Sequence, residues 1–318
     1  MNITDHPVVA SLTPVFILIA AGYLAGRLQW IRAAAIKDLS NLVFLLLIPA
    51  LLFRTMSAVH VETLDLRPLG AYFLAALLLL GGSIFWRGFN RRSVVMALGG
   101  VFSNLVMIGI TVVQLAYGKE GLVTLLTVVS LHAIILLTVT TITLELVVAS
   151  ENRAQGVEAP HLLETTWSAF KNALIHPIPL PIITGLLFAQ TGWTLPVVVD
   201  KPLMLLGSAF GPIALVLVGV TMASTPLGGH LKPALWITAS KNLLLPLMVG
   251  ISAWAFGITG LPLTVMVVAA AMPMGANVFM FAQRYEVAQD LTTAGMVLST
   301  GLALFTLTLV MLVMSWIH

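Results

Sequence analysis

In this chain of 318 residues, 59% are hydrophobic and only 8% are charged. With a mean hydropathy of +1.05, it has too few polar groups to face water on every side, which argues against a soluble enzyme or a nucleic-acid-binding domain. The net charge of +3 comes from only 15 basic and 12 acidic residues, so the excess records membrane topology and not a nucleic-acid partner; the absence of cysteine excludes disulfides and thiolate metal sites.

Ten apolar segments follow in order, at 8–27, 36–57, 67–86, 93–117, 120–149, 171–191, 200–223, 233–256, 261–284 and 290–316. Ten spans of roughly 20 residues each leave room for short loops only. The start, Met1 to Pro7, has Asp5 and no Lys or Arg, unlike the basic start of a signal peptide, so the first span is expected to be retained. The fifth segment is long enough to tilt or to extend beyond the lipid. Ser150 to Phe170 is the one sizeable connection, polar and rich in Glu. It divides the chain into a first five-helix repeat (1–149), a central cytoplasmic loop (150–170) and a second five-helix repeat (171–318).

Loops on the side of that connection carry ten Lys or Arg; the opposite side carries four (Arg54, Arg67, Lys119 and Lys201), and Lys241 lies inside a span. The positive-inside rule therefore puts both termini outside the cytoplasm. The halves look like copies. At an offset of 163, Pro14, Gly22, Trp30 and Pro49 match Pro177, Gly185, Trp193 and Pro212; further on, at an offset of 173, Ser103-Asn104-Leu105-Val106-Met107 faces Ala276-Asn277-Val278-Phe279-Met280. With five spans per half, the second copy enters the membrane from the opposite face, and inverted repeats of this kind are a transporter signature.

Polar groups within hydrocarbon are costly and point to function. Span four contains Gly99-Gly100, Ser103-Asn104 and Gly109, and span nine contains Pro273, Gly275 and Asn277. Proline removes a backbone donor and glycine lets a helix unwind, so both spans are expected to break near mid-membrane. The breaks would offer N–H groups at half-helix N-termini and two asparagine amides to an anion. The same residues could instead bond neighbouring helices, with glycine allowing close packing. Lys241, at a depth of roughly 12 Å in span eight, has four readings: a counter-charge to an anionic substrate, a switchable coupling cation, a snorkelling side chain, or a structural partner of Glu145. His132, midway along span five, is either a proton relay or a packing residue. His176 and Glu145 are expected at the interface. The other eleven acids fall in termini, loops or span edges, and no metal cluster, phosphate loop or nucleophile elbow is present, so neither an enzyme nor ATP-driven transport is expected, and no cofactor.

The chain resembles the auxin efflux carrier family of secondary transporters, in its compact bacterial form. The likeness rests on Asn41-Leu42-Val43-Phe44 through Ile48-Pro49-Ala50-Leu51-Leu52-Phe53, Ser103-Asn104 with Met107-Ile108-Gly109-Ile110, His176-Pro177, Met272-Pro273 with Ala276-Asn277, and Ser299-Thr300. It implies ten transmembrane helices as two inverted repeats of five, related to the bile acid sodium symporters. Helices 1, 2, 6 and 7 would form a scaffold, and 3–5 with 8–10 a moving transport unit of elevator type. Helices 4 and 9 would break and cross, placing Asn104 and Asn277, with Ser103, Pro273 and Gly275, at a carboxylate site. The family also implies a homodimer. Where members often carry proline after the Gly-Ile of span four, this chain has Thr111, which weakens the expectation of a break there.

The function expected is a secondary transporter or uniporter of small organic anions in a plasma membrane, the bacterial inner membrane foremost. A sodium-coupled bile-acid-type symporter is the runner-up, ahead of a channel or sensor. With the inside negative, one anion leaves with a gain of about 2.3 kcal/mol per 100 mV. Export can therefore run uncoupled, whereas uptake needs protons or sodium.

Overall fold

The computed structural model describes residues 7–59, 66–154, 178–225 and 231–317. Most of the central loop, the start of span six with His176-Pro177, and both chain ends lie outside the described residues. Among those described, every element is helical apart from one isolated bridge, Ser103 with Met274. Seven helices are long and apolar enough to cross a membrane, and two shorter ones are apolar as well.

The first half comprises α1 (Pro7–Arg27), α2 (Ala35–Met56), α3 (Arg67–Arg87), α4 (Arg91–Val101) and α5 (Ile110–Ala154). The second comprises α6 (Pro179–Gln190), α7 (Val197–Ser224), α8 (Lys232–Ala255), α9 (Gly260–Ala271), α10 (Asn277–Arg284) and α11 (Gln289–Ile317). Span four of the sequence is thus α4, a π turn at Leu105–Gly109 and the opening of α5. Span nine is α9 followed by α10. Spans four and five run on within α5, divided only by Gly118, whose φ of 63° and ψ of −155° are not helical.

Local chemistry explains the irregularities. Asn90 starts α4 by accepting from the Ser93 amide at 2.9 Å. In α2 and α8, π turns at Val43–Leu47 and Ser240–Leu244 stand just before Pro49 and Pro246. A proline ring collides with the carbonyl four residues back, and widening the preceding turn relieves that collision. Ile48 N–H accordingly donates to Val43, and Leu245 N–H to Ser240, each five residues back.

Two crossings fix the frame. α1 meets α7 so closely that a Cβ on Gly22 would collide with the Val216 carbonyl, and one on Gly219 with the Ile19 carbonyl. α6 meets α2 in the same manner, with a Cβ on Gly185 placed 2.8 Å from the Phe53 carbonyl. Small residues permit such backbone approach between membrane helices. Elsewhere α9 is enclosed by α5, α8 and α11, and α3 packs on α4 and α8. Leu98, Val101, Leu105, Val265, Val268 and Met272 form the apolar core around the two interrupted helices.

Candidate functional site

α9 ends at Met272 because a residue before proline is driven to extended backbone, here φ −57° and ψ 147°. α4 ends without a proline, at Phe102 (φ −84°, ψ 101°). The two loosened strands run antiparallel and bond each other. Asn104 N–H donates to the Pro273 carbonyl at 2.7 Å, and Gly275 N–H to the Phe102 carbonyl at 2.9 Å. Main-chain groups freed in hydrocarbon must find partners within the protein, and each break here supplies them to the other. The missing proline is therefore no obstacle to interrupting span four.

The remaining groups of the second break are taken up by side chains and by one main-chain carbonyl. Met272 N–H donates to Ala269 O at 3.3 Å, and Met274 N–H to Ser299 Oγ at 2.9 Å. The carbonyls of Ala270 and Met272 both accept from Lys241 Nζ at 2.6 Å. Ser299 Oγ in turn donates to Asn242 Oδ1 at 2.6 Å. Lys241, Asn242 and Ser299 are each 0% exposed, so this is an interior polar network with its donors and acceptors matched.

Asn104, Asn277, Ser103, Pro273 and Gly275 all lie within three residues of the Ser103–Met274 bridge. Their surroundings differ. Ser103, Pro273 and Gly275 are buried in the crossing itself, whereas Asn104 and Asn277 are partly exposed. A Cβ on Gly275 would stand 2.9 Å from the Phe102 ring. Asn104 Oδ1 accepts from Met107 N–H at 3.2 Å and caps the π turn, leaving its Nδ2 free among the described residues. The Asn277 side chain makes no hydrogen bond among the described residues, and no side chain caps the first turn of α10. The free amide donors of Asn104 and Asn277 face no competitor among the described residues, which is what an anion requires, while Val278 N–H and Phe279 N–H in the first turn of α10 already donate to the Gly275 and Ala276 carbonyls at 3.3 and 3.0 Å.

His132 is 4% exposed, its ring 4.6 Å from that of Phe102 and 5.8 Å from that of Tyr72. Among the described residues neither ring nitrogen has a hydrogen-bond partner. Tyr72 Oη lies 3.3 Å from Ser103 Oγ. Two expectations need correction. Lys241 does not snorkel, nor does it meet Glu145, because the α9 carbonyls hold it inside. Glu145 is 8% exposed and accepts from Tyr285 Oη at 2.8 Å. Among the described residues no three His, Asp or Glu side chains gather where they could hold a metal.

A family profile described as membrane transport protein matches residues 7–311. The chain belongs to this family, that of the auxin efflux carriers. It is similar to a Rhizobium meliloti (strain 1021) protein provisionally named malonate transporter, with 26% identity across 93% of this chain and 92% of that one. It is also similar to auxin efflux carrier component 8 of Arabidopsis thaliana, at 22% identity over 94% of this chain and 95% of that one. The uncharacterized transporter YfdV of Escherichia coli (strain K12) is 23% identical over 92% of each. This chain is accordingly a membrane transporter and not an enzyme.

Two features of the carrier escaped sequence reasoning. Asn242 and Tyr72 carried a readable signal, since each is a polar group well inside an apolar span. The second feature is a cavity of about 660 Å³ between the ends of α2, α6 and α7 and the Gly118 region of α5. Arg54, Gln114, Lys119, Trp193 and Asp200 line it. Arg54 grips both oxygens of Asp200, at 2.6 and 3.1 Å, while Lys119 has no ion-pair partner among the described residues.

Proposed function

We propose that this carrier is a secondary transporter or uniporter of small organic anions, carboxylates foremost, and that the carboxylate binds at the crossed breaks between Asn104 and Asn277. One observation carries the reading. The whole Asn277 amide and the Asn104 Nδ2 are uncommitted beside a crossing whose buried Lys241 Nζ meets two carbonyls and, among the described residues, no carboxylate. Amide donors can hold a carboxylate through charge-assisted hydrogen bonds. The name of the Rhizobium relative makes malonate the first probe.

The mechanism we favour is alternating access of elevator type. Its scaffold would be α1, α2, α6 and α7, and the remaining helices would move with the site. A repeat in the contacts supports two inverted halves: adding 163 to Gly22 and Phe53 gives Gly185 and Val216, and the close pairs are Gly22 with Val216 and Gly185 with Phe53. Each half thus lays its first helix on the second helix of the other. The cavity holding Arg54 and Lys119 is suited to collect anions on the face opposite the cytoplasm. A homodimer through the scaffold, with both termini outside a plasma membrane, completes the reading.

The test is counterflow of radiolabelled malonate, and of other mono- and dicarboxylates, in proteoliposomes. Trans-stimulated, saturable exchange is expected for at least one carboxylate. Flux that is linear in concentration and indifferent to internal substrate would mean a channel and would sink the carrier mechanism.

A further inference from the structure

The Lys241 ammonium occupies a position that differs from a substrate counter-charge. It lies where α9 stops, held by two main-chain carbonyls, Ala270 O and Met272 O, both at 2.6 Å. The Pro273 break turns those carbonyls away from their helical partners. Main-chain carbonyls released by an unwound helix, together with the negative end of its dipole, are the usual cradle of a coupling cation in carriers with broken helices. Here the neighbouring main-chain groups are already spoken for. Pro273 O receives Asn104 N–H, Gly275 N–H goes to Phe102 O, and Met274 N–H goes to Ser299 Oγ. The carbonyl pair that remains is closed by a side chain of the protein itself. Lys241 is 0% exposed, and the π turn that carries it also carries Asn242, which bonds α11 instead.

We propose that Lys241 is a tethered cation filling a monovalent-cation site at the C-terminal end of α9, so that the protein binds no sodium there and keeps its second break ordered without any ion. The site takes a small monovalent cation only when the lysine side chain is removed. This inference rests on the carrier reading solely for its transport measurement; its binding measurement uses no carboxylate.

Purified protein is melted in sodium, potassium or choline chloride of equal ionic strength, with no organic anion present. The parent is expected to melt at one temperature in all three. Lys241→Ala is expected to melt lower in choline chloride and to regain at least part of the loss on addition of sodium or propylammonium chloride, since a ligand that binds only the folded form raises its stability. Asn104→Ala, with the lysine in place, should gain nothing from either cation. A parent stabilised by sodium over choline overturns the proposal, and so does a Lys241→Ala protein indifferent to both cations. That parent comparison decides the matter even if Lys241→Ala does not accumulate. The second arm is malonate exchange by the parent in sodium-free proteoliposomes, expected at the rate seen with sodium. A fall of about tenfold or more overturns the proposal. Absence of malonate exchange in both media counts against the substrate assignment alone and leaves the melting result to judge Lys241.

Discussion

Asn242 and Ser299 hold each other twice: Ser299 Oγ donates to Asn242 Oδ1 at 2.6 Å, and Asn242 Nδ2 donates to the Ser299 carbonyl at 2.9 Å. Ser299 Oγ is also the acceptor for the Met274 amide in the second break. Removing the hydroxyl strands an amide oxygen and a main-chain N–H inside the protein. Ser299→Ala should lose about 1–3 kcal/mol for each buried group left without a partner. Differential scanning fluorimetry of the purified variant gives the shift, and a melting temperature equal to that of the parent would show the pair to be idle.

Asn104→Ala and Asn277→Ala should each remove a hydrogen bond to a charged acceptor, worth about 1.5–3 kcal/mol. Carboxylate affinity should then drop roughly ten- to a hundredfold. Asn277 supports nothing else, so Asn277→Ala should melt like the parent. Asn104→Ala also loses its cap on the Met107 amide and should melt somewhat lower. Parental affinity in both variants would remove the asparagines from the site.

The helix crossings predict a sharp contrast among glycines. Gly219→Ala should lose at least about 1–3 kcal/mol, because its methyl group meets a main-chain carbonyl that cannot retreat without parting α1 from α7. Gly81→Ala, with nothing within 4 Å of the added carbon, should be neutral or gain about 0.5–1 kcal/mol from reduced backbone freedom. Expression yield and thermal midpoint of both variants give the comparison.

Tyr285 supplies a pH test. Burial and the hydrogen bond to Glu145 push its phenol above the ordinary value of 10.0. A group whose folded pKa is raised contributes fully below its unfolded pKa and loses the contribution as pH rises beyond it. The parent should therefore be more stable than Tyr285→Phe at neutral pH by about 1–3 kcal/mol, with the gap closing above pH 10.0. A gap that stays constant through that range would separate Tyr285 from the Glu145 carboxylate.

A C-terminal fluorescent fusion that matures only in the cytoplasm should be dark, since ten basic residues mark the opposite side against four. A bright fusion reverses the topology and moves the Arg54 cavity to the cytoplasmic face.

The positions of the interruptions were legible for a definite reason. Pro273 has no N–H, and Ser103-Asn104 between glycines offers the backbone a side-chain alternative to the helix. What Thr111 put in doubt was decided by a partner 170 residues away: the first break is held by Pro273 O and Gly275 N–H, and pairing at that separation leaves no local pattern. The destination of Lys241 was hidden for the same reason, since main-chain carbonyls have no residue type to look for. The burial of Glu145 was not legible because Tyr285, its donor, comes 140 residues later. The π turns were detectable in principle, as Pro49 and Pro246 each require the preceding turn to yield. The Gly118 junction, read as a gap between spans four and five, is where the helical run breaks, with φ 63° and ψ −155°.

The Phe102–Asn104 and Pro273–Gly275 segments saturate each other, so the crossing behaves as a welded joint. Among the described residues its hydrogen bonds run between the two breaks and to side chains of α3, α8 and α11, with none to α1 or α7. Were the joint to move as a block, as the elevator proposal requires, none of the hydrogen bonds across the crossing would have to break.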